Sequence, residues 1–300
     1  MRSGFSIIRN GDTLGYPYLE SLQSLAPLVD EIVVAHGDSS DSTLQSLEHL
    51  KSRLSCPLKI LNSPWDPQNL KGGLELSRQT NIALEKCQND ICLYIQGDEV
   101  FSDSNTQQIL QDLDRFEAEQ DLDALAFSWV HFYGSYETEV RSAKWYRREI
   151  RAIKKSRNLK SYGDAQGFRT WNPHSQKWTK PRAALSRGQV FHYGWVRTPQ
   201  AMAAKASDFD RLWHEGKSPF DRNPNSIFSD QFGIRKFKGK HPSVMKDRIQ
   251  SAFLSQKPLH ELSNPPKNLK FLRLATSEIL ESAFDYRPGE FKNYSSLKRF

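Results

Sequence analysis

The sequence predicts an α/β fold: a mostly parallel central sheet with helices on both faces, plus a mainly helical C-terminal extension. Three features predict it. Short apolar runs rich in β-branched residues alternate with stretches whose leucines recur every three or four positions, and Gly-, Asp- and Ser-rich loops end the runs. Strands separated by helices of this length favour parallel pairing. Right-handed crossovers then place the loops that follow the strands along one edge of the sheet.

Phe5–Ile8 is the first run, and Leu19, Leu22, Leu25 and Leu28–Val29 mark the helix behind it. Ile32–Ala35 is a strand ended by the turn-rich segment 36–42, where Asp41 or Ser42 can cap a helix carrying Leu44, Leu47, Leu50 and Leu54. Leu58–Leu61 is a third strand, Gly72–Gly73 precede a helix reaching Cys87, and Ile91–Ile95 is a fourth strand. A helix with Ile109, Leu110, Leu113 and Phe116 leads to a fifth, Ala124–Val130. Residues 131–200 read as irregular strands and loops, and residues 200–255 as helices broken near Pro219–Pro224 and Gly239–Pro242. Asn268–Ser282 is a last helix, after a Pro265–Pro266 linker.

The 300 residues carry a net charge of +7 and a mean hydropathy of -0.67. No apolar run approaches the roughly 20 residues that span a bilayer, and Phe5–Ile8 is too short for a signal-peptide core. Cys56, Cys87 and Cys92 are odd in number and lack C-x-x-C spacing, as ordinary thiols of a reducing cytoplasm would. The net charge hides an asymmetry. Residues 1–150 hold 13 Lys+Arg against 23 Asp+Glu, a net of −10, and residues 151–300 hold 29 against 12, a net of +17. Within 151–200 eleven basic residues accompany one acid, Asp164. Such an excess suits an anionic partner: a nucleotide, a phospholipid face or a nucleic acid.

The strongest local signal is Tyr94-Ile-Gln-Gly-Asp98-Glu99, an apolar strand running into adjacent carboxylates at the ligand edge. Two carboxylates on a tight turn can hold a hard divalent cation, which in turn binds a diphosphate; the same pair is also an ordinary turn and helix cap. Upstream, Gly72–Asn81 opens a helix with Arg78 and Asn81 in its early turns, and Val33–Thr43 is a strand followed by an acidic, hydroxyl-rich loop. These loops follow strands two, three and four and are expected to converge.

With Phe5-Ser-Ile-Ile-Arg9-Asn10, the segments Asp38-Ser-Ser-Asp-Ser-Thr43, Ser77-Arg-Gln-Thr-Asn81 and Gln96-Gly-Asp-Glu99 match, in order and spacing, motifs of the family 2 glycosyltransferases. The chain resembles that family over residues 5–135 and more loosely to about 210, and is most similar to bacterial members acting on lipopolysaccharide core and other cell-surface glycans. The resemblance implies a GT-A fold, which is Rossmann-like. Residues 1–135 would be the nucleotide-sugar-binding core, 136–200 acceptor-side strands and loops, and 201–300 the helical extension. It implies that Arg9 and Asn10 lie near the base or ribose, Asp38 near uracil or ribose, Arg78 near the nucleotide, and Asp98 on Mn2+ or Mg2+. Gln96 stands at the first Asp of Asp-x-Asp; its amide can bond a ribose hydroxyl, and Glu99 is expected to restore the lost charge at the metal. Ala35-His36-Gly37 stands where relatives usually carry an Asp pair. His192, in Val190-Phe-His-Tyr-Gly-Trp-Val-Arg197, is expected to complete the metal shell. Lys205 follows it, like the Lys-bearing helix of the lipopolysaccharide-core group.

An inverting transfer needs a general base for the acceptor hydroxyl. Asp164, the only acid between Glu149 and Asp208, is the candidate, with an ion pair to Arg169 or Arg151 as the alternative. The family's usual Glu-Asp pair is missing. Arg147 and Arg148, in the basic run 144–157, are expected on the diphosphate. Trp145, Tyr146, Trp171 and Trp178 can stack on sugar rings or anchor loops, and 131–136 would shape the acceptor side. The expected activity is transfer from a UDP-linked nucleoside-diphosphate sugar to a glycan or lipid-linked acceptor, by a cytoplasmic enzyme peripheral on the anionic inner face of a membrane. A basic nucleic-acid-binding protein is the rival, but no RRM, KH or helix-turn-helix signature supports it and the acidic first half would repel a polyanion, so no nucleic acid partner is expected. A nucleotidyltransferase would need Lys or Arg in 10–15, which has neither. A GT-A domain that binds without turnover is a further alternative, given Gln96.

Overall fold

The computed structural model of the chain describes residues 1–69, 71–198, 200–205, 233–253 and 269–300. The Pro219–Pro224 break and the Pro265–Pro266 linker lie outside the described residues. The chain begins with β1 (Arg2–Ile8), α1 (Tyr18–Leu25), β2 (Glu31–His36), α2 (Thr43–Leu50), β3 (Leu58–Asn62), α3 (Leu74–Glu85) and β4 (Ile91–Tyr94). The four strands are parallel in the order β3-β2-β1-β4, so the loops bearing Arg9, Asp38 and Gln96 share one edge. β5 (Glu99–Phe101), α4 (Thr106–Ala118), β6 (Ala124–Tyr133), β7 (Thr138–Val140) and β8 (Arg148–Lys154) follow. Then come β9 (Leu159–Tyr162), β10 (Gly167–Asn172), β11 (Lys177–Thr179), β12 (Arg182–Trp195), β13 (Ile234–Lys236), α5 (Lys246–Phe253), α6 (Leu269–Phe284) and β14 (Ser296–Arg299).

Strand alternation sorts the core into two layers. Ile32 and Val34 pack with Leu22 and Leu25 of α1, Leu47 and Leu50 of α2, and Ile109, Leu113 and Phe116 of α4. Val33 and Ala35 face the other way, onto Ala83 and Leu84 of α3 and onto Leu159 and Phe168 of the β9–β10 hairpin. The expected α/β fold with helices on both faces is present. Leu44, placed on the apolar stripe of α2, is instead exposed.

Residues 131–200 are more regular than their composition suggests. β8 pairs antiparallel with both β4 and β6, extending the sheet beyond its parallel half. β12 runs 14 residues parallel to β6 and antiparallel to β5, and β14 brings the C-terminus back alongside it. β9, β10 and β11 form a separate antiparallel sheet. β8 is hard to read because its sequence, Arg-Glu-Ile-Arg-Ala-Ile-Lys, buries charged residues on both faces.

Those charges are matched. Arg151 Nη2 and Nε donate to the two carboxylate oxygens of Glu99, at 2.6 and 2.8 Å, and both side chains are wholly buried. The guanidinium also lies 4.6 Å over Trp129 and 5.2 Å over Tyr94. Removing one partner of such a pair costs about 3–5 kcal/mol, because the other charge stays buried. Glu149, on the same strand, is 2 % exposed and, among the described residues, accepts hydrogen bonds from Ile150 N–H and Asn293 Nδ2. Burial pushes its carboxyl up to about 7, against the lesser pull of Arg151.

An acid with a higher pKa folded than unfolded is neutral in the native state while already ionised in the unfolded one. Stability therefore falls as pH rises from about 4.5 towards about 7. Glu149→Gln removes this penalty. Urea unfolding at pH 5 and pH 8 should show the variant gaining about 3 kcal/mol on wild type at the higher pH, and parallel pH curves for the two proteins would contradict the assignment.

Candidate functional site

At the edge where the parallel strands end, backbone and side chains tie consecutive loops together. Asn10, just past β1, adopts φ 48°, a left-handed conformation that Asn tolerates, and its Oδ1 accepts the Ser40 N–H at 2.8 Å. Thr43 Oγ1 accepts Gly11 N–H at 2.8 Å, and Asp41 accepts Thr13 N–H at 2.8 Å. Arg9 Nε lies 3.1 Å from Asp38 Oδ1, with the guanidinium 4.9 Å over the Trp65 ring. Gly37 allows this packing, since a Cβ there would sit 2.7 Å from Trp65 Nε1 and 3.0 Å from Arg9 Cδ. The result is an aromatic and charged shelf of Arg9, Asp38 and Trp65.

The second focus lies past β4. Asp98 Oδ2 stands 3.3 Å from Arg197 Nη2, 3.7 Å from Lys205 Nζ and 3.7 Å from His192 Nε2. Burial alone would raise the Asp98 pKa, but His192, Lys205 and Arg197 outweigh it and hold the carboxyl far below the usual carboxylate range. Burial, and then Arg197, push Lys205 down to about 7. The pairing of β12 with β6 slips between His192 and Trp195, and Gly194 lies in this irregular stretch. Its carbonyl accepts from Lys205 Nζ at 2.9 Å and Arg197 Nε at 3.1 Å. Behind His192, its Nδ1 is 3.0 Å from His131 Nδ1, while His131 Nε2 meets the Tyr146 carbonyl at 2.5 Å. A carbonyl only accepts, so His131 carries its hydrogen on Nε2. Burial keeps that ring neutral, so the shared hydrogen is on His192 Nδ1 and His192 Nε2 points at Asp98. Arg197 had no assigned role in the sequence, and His131, expected only as part of the acceptor-side segment 131–136, instead backs His192; Arg197 stands five residues after His192, beyond the β-irregularity that brings both to one carboxylate.

Several expected site residues are placed elsewhere. Glu99 turns into the core onto Arg151 and does not join Asp98 and His192 at a metal. Arg78 is held by Glu75, three residues earlier on α3, and by the Pro64 carbonyl, an internal brace rather than an open nucleotide contact. Arg147 and Arg148 are bound by Asp285, and Arg147 also by Glu290, so C-terminal acids occupy the forks expected to grip a diphosphate. Trp145 and Tyr146 pack around His131, whereas Trp171 and Trp178 are exposed. Gln96 Nε2 donates to the Ala165 carbonyl at 3.3 Å, drawing the β9–β10 turn against the end of β4. Asp164 lies in that turn, half-buried, accepting Gln166 N–H at 3.3 Å. Among the described residues it forms no ion pair: Arg151 is committed to Glu99, and Arg169 to Asn293 and the Phe168 carbonyl.

These groups do not match the donor set of a divalent cation. Mn2+ or Mg2+ takes several oxygen ligands, at about 2.0–2.1 Å for Mg2+. Asp98 offers one carboxylate, already facing two cationic nitrogens and an imidazole, and among the described residues no three His, Cys, Asp or Glu side chains are grouped to hold a metal ion.

No protein-family model matches the chain, and no curated protein matches it. Among solved structures, residues 1–349 of TarS from S. aureus in complex with UDP align with 91 % of this chain and 77 % of theirs, at 14 % identity and a TM-score of 0.41. HddC from Yersinia pseudotuberculosis aligns with 65 % of this chain and 94 % of its own, at 12 % identity and a TM-score of 0.36. Glucosyl-3-phosphoglycerate synthase from Mycobacterium tuberculosis, with Mn2+, UDP and phosphoglyceric acid, covers 44 % of this chain and 43 % of its own, at 15 % identity and 0.28.

A Cβ on Gly194 would lie 2.5 Å from His192 Nε2 and 2.7 Å from Asp98 Oδ2. Gly194→Ala therefore wedges the pair apart. Thermal and urea unfolding should show a loss of about 1–3 kcal/mol, the usual cost of overpacking.

Proposed function

We propose that the chain is a glycosyltransferase that moves a sugar from a nucleoside diphosphate, UDP by the family resemblance, to a glycan or glycolipid acceptor with inversion. One observation carries the reading. The Gln96–Ala165 bond draws the β9–β10 turn, which carries Asp164, against the end of β4, just before the turn where Asp98 faces His192, Arg197 and Lys205, and among the described residues the Asp164 carboxylate forms no ion pair. A base and a cationic cluster at one sheet edge is the arrangement that glycosyl transfer from a diphosphate requires.

In this reading Arg9, Asn10, Asp38 and Trp65 receive the nucleoside. Arg9 and Trp65 supply a flat stacked surface, and Asp38 and Asn10 supply hydroxyl partners. Gln96 contributes a neutral amide towards the ribose. Asp164 takes the proton of the acceptor hydroxyl as its oxygen bonds to the anomeric carbon. The bond from that carbon to the diphosphate breaks, and its electron pair stays on the leaving phosphate oxygen. Asp164→Asn should lower release of UDP from a UDP-sugar by about 10²–10⁴-fold, the usual contribution of a general base, while leaving UDP affinity unchanged. Parallel loss of UDP binding would assign Asp164 to the fold instead. Failure of every nucleoside diphosphate to bind would reject the function.

The acceptor side is proposed to face an anionic membrane. Tyr162, Trp171 and Trp178 are exposed on the three-stranded sheet, their rings 5.4 and 5.3 Å apart, beside exposed Lys160, Lys177 and Lys180. Aromatic rings with lysines suit the headgroup layer, each cation contributing about 1 kcal/mol near an anionic surface. Among the described residues no helix is long and apolar enough to cross a membrane. Flotation with phosphatidylcholine–phosphatidylglycerol vesicles should carry the chain upward, and Trp171→Ala with Trp178→Ala should abolish this. Equal binding to neutral vesicles would argue against an anionic surface.

A further inference from the structure

Asp98 is outnumbered. Among the described residues it is the one acid that faces Arg197 and Lys205, and no side chain of this group, His192 included, is more than 16 % exposed. The carbonyls of Gly194 and Leu14 and the rings of Tyr16 and Trp195 hold the two cations in place but bring no negative charge. A nearly buried cation in excess is unfavourable, and it either gives up its proton or is held charged by a counter-charge that reaches it. A divalent metal would add charge of the same sign at the same carboxylate oxygen. A diphosphate would supply the opposite sign.

We infer that Lys205, held beside Asp98, receives the diphosphate of the donor where a divalent cation would otherwise stand, so that nucleotide binding by this chain does not need a metal. The inference rests on the glycosyltransferase reading and adds the means of neutralising its leaving group. Lys205 is the more exposed of the two cations and so the one a phosphate oxygen can touch. Arg197, wholly buried and bonded to Asp98, Gly194 and Leu14, is a positioning residue. When the bond to the anomeric carbon breaks, the electron pair left on the phosphate oxygen develops its charge towards the Lys205 ammonium. Two departures from a metal site agree with this. Gln96 puts a neutral amide where a metal site would use a carboxylate, and Glu99 spends its charge on Arg151.

The test is isothermal titration of UDP into the full chain, once after EDTA treatment and once with millimolar Mn2+. Affinities within about threefold of each other are expected. Lys205→Met should weaken UDP binding roughly tenfold to a hundredfold, the scale of one charge-assisted hydrogen bond. Uridine, which lacks the diphosphate, should bind wild type and variant alike, and Lys205→Arg should restore most of the UDP affinity. Equal loss of uridine and UDP binding would make Lys205 structural and overturn the inference. UDP binding that appears only with Mn2+ or Mg2+ would overturn it and leave the glycosyltransferase reading standing, whereas no binding in either state would remove both.

Discussion

The buried pair of Glu99 and Arg151 is the constraint on which the site depends. Arg151 belongs to β8, the antiparallel strand inserted between β4 and β6, and Glu99 begins β5, which pairs with β12. Their two hydrogen bonds join the parallel half of the sheet to the antiparallel half at the point where β4 ends. Glu99 N–H closes a turn on the Gln96 carbonyl at 3.0 Å, so Asp98 sits in the turn ahead of β5, where its carboxylate meets His192 and Arg197 of β12 and the segment after it, while Glu99 goes into the core. The Asp-Glu dipeptide is therefore split between two tasks: one carboxylate holds the sheet together and its neighbour faces the ligand edge.

The charge asymmetry has the same double character. Much of the basic surplus of residues 151–200 answers acids and carbonyls of the first half. Lys154 Nζ donates to the Glu117 and Glu119 carbonyls at the end of α4, and Lys155 Nζ to those of Glu85 and Cys87 at the end of α3. Both are favourable placements of a cation at a helix C-terminus. Arg182 binds Asp123, and Arg187 binds the fully buried Asp112. Lys160 of the three-stranded sheet likewise pairs with Glu85 at 2.9 Å, so among the described residues of this region the surplus open to an anionic partner narrows to the cluster at Asp98 and to exposed lysines such as Lys177 and Lys180.

The parallel half was legible because each strand there is a short apolar run and the helices α1 and α4 carry an apolar stripe that is buried, so periodicity and tertiary packing agree. The loops after β1, β2 and β4 followed from that order. β8 was illegible for a physical reason: its buried Glu149, Arg151 and Lys154 find partners distant in sequence, and no local pattern shows that a charge will be matched. The same holds for Arg147 and Arg148, whose partners Asp285 and Glu290 lie more than a hundred residues away. Asp98 and His192 could be named from their motifs, but the opposed fates of Asp98 and Glu99 depend on strand register, which a motif does not record.

The β9–β10 hairpin connects the two proposed ends of the reaction. It is fastened at three points: Asn81 on α3 bonds the Ser161 backbone in both directions, Gln96 bonds Ala165, and Arg169 bonds Asn293. Between the first two, Gly163 and Ala165 take φ of 64° and 62°, a conformation that costs Ala energy and persists where neighbours hold it. A turn fixed in this way gives Asp164 one position relative to the strand end. Tyr162, two residues earlier, begins the exposed aromatic face. A hairpin with so little freedom cannot carry its carboxylate towards a substrate, so the proposed reaction requires the acceptor hydroxyl to come to Asp164, and the proposed acceptor face starts two residues away at Tyr162.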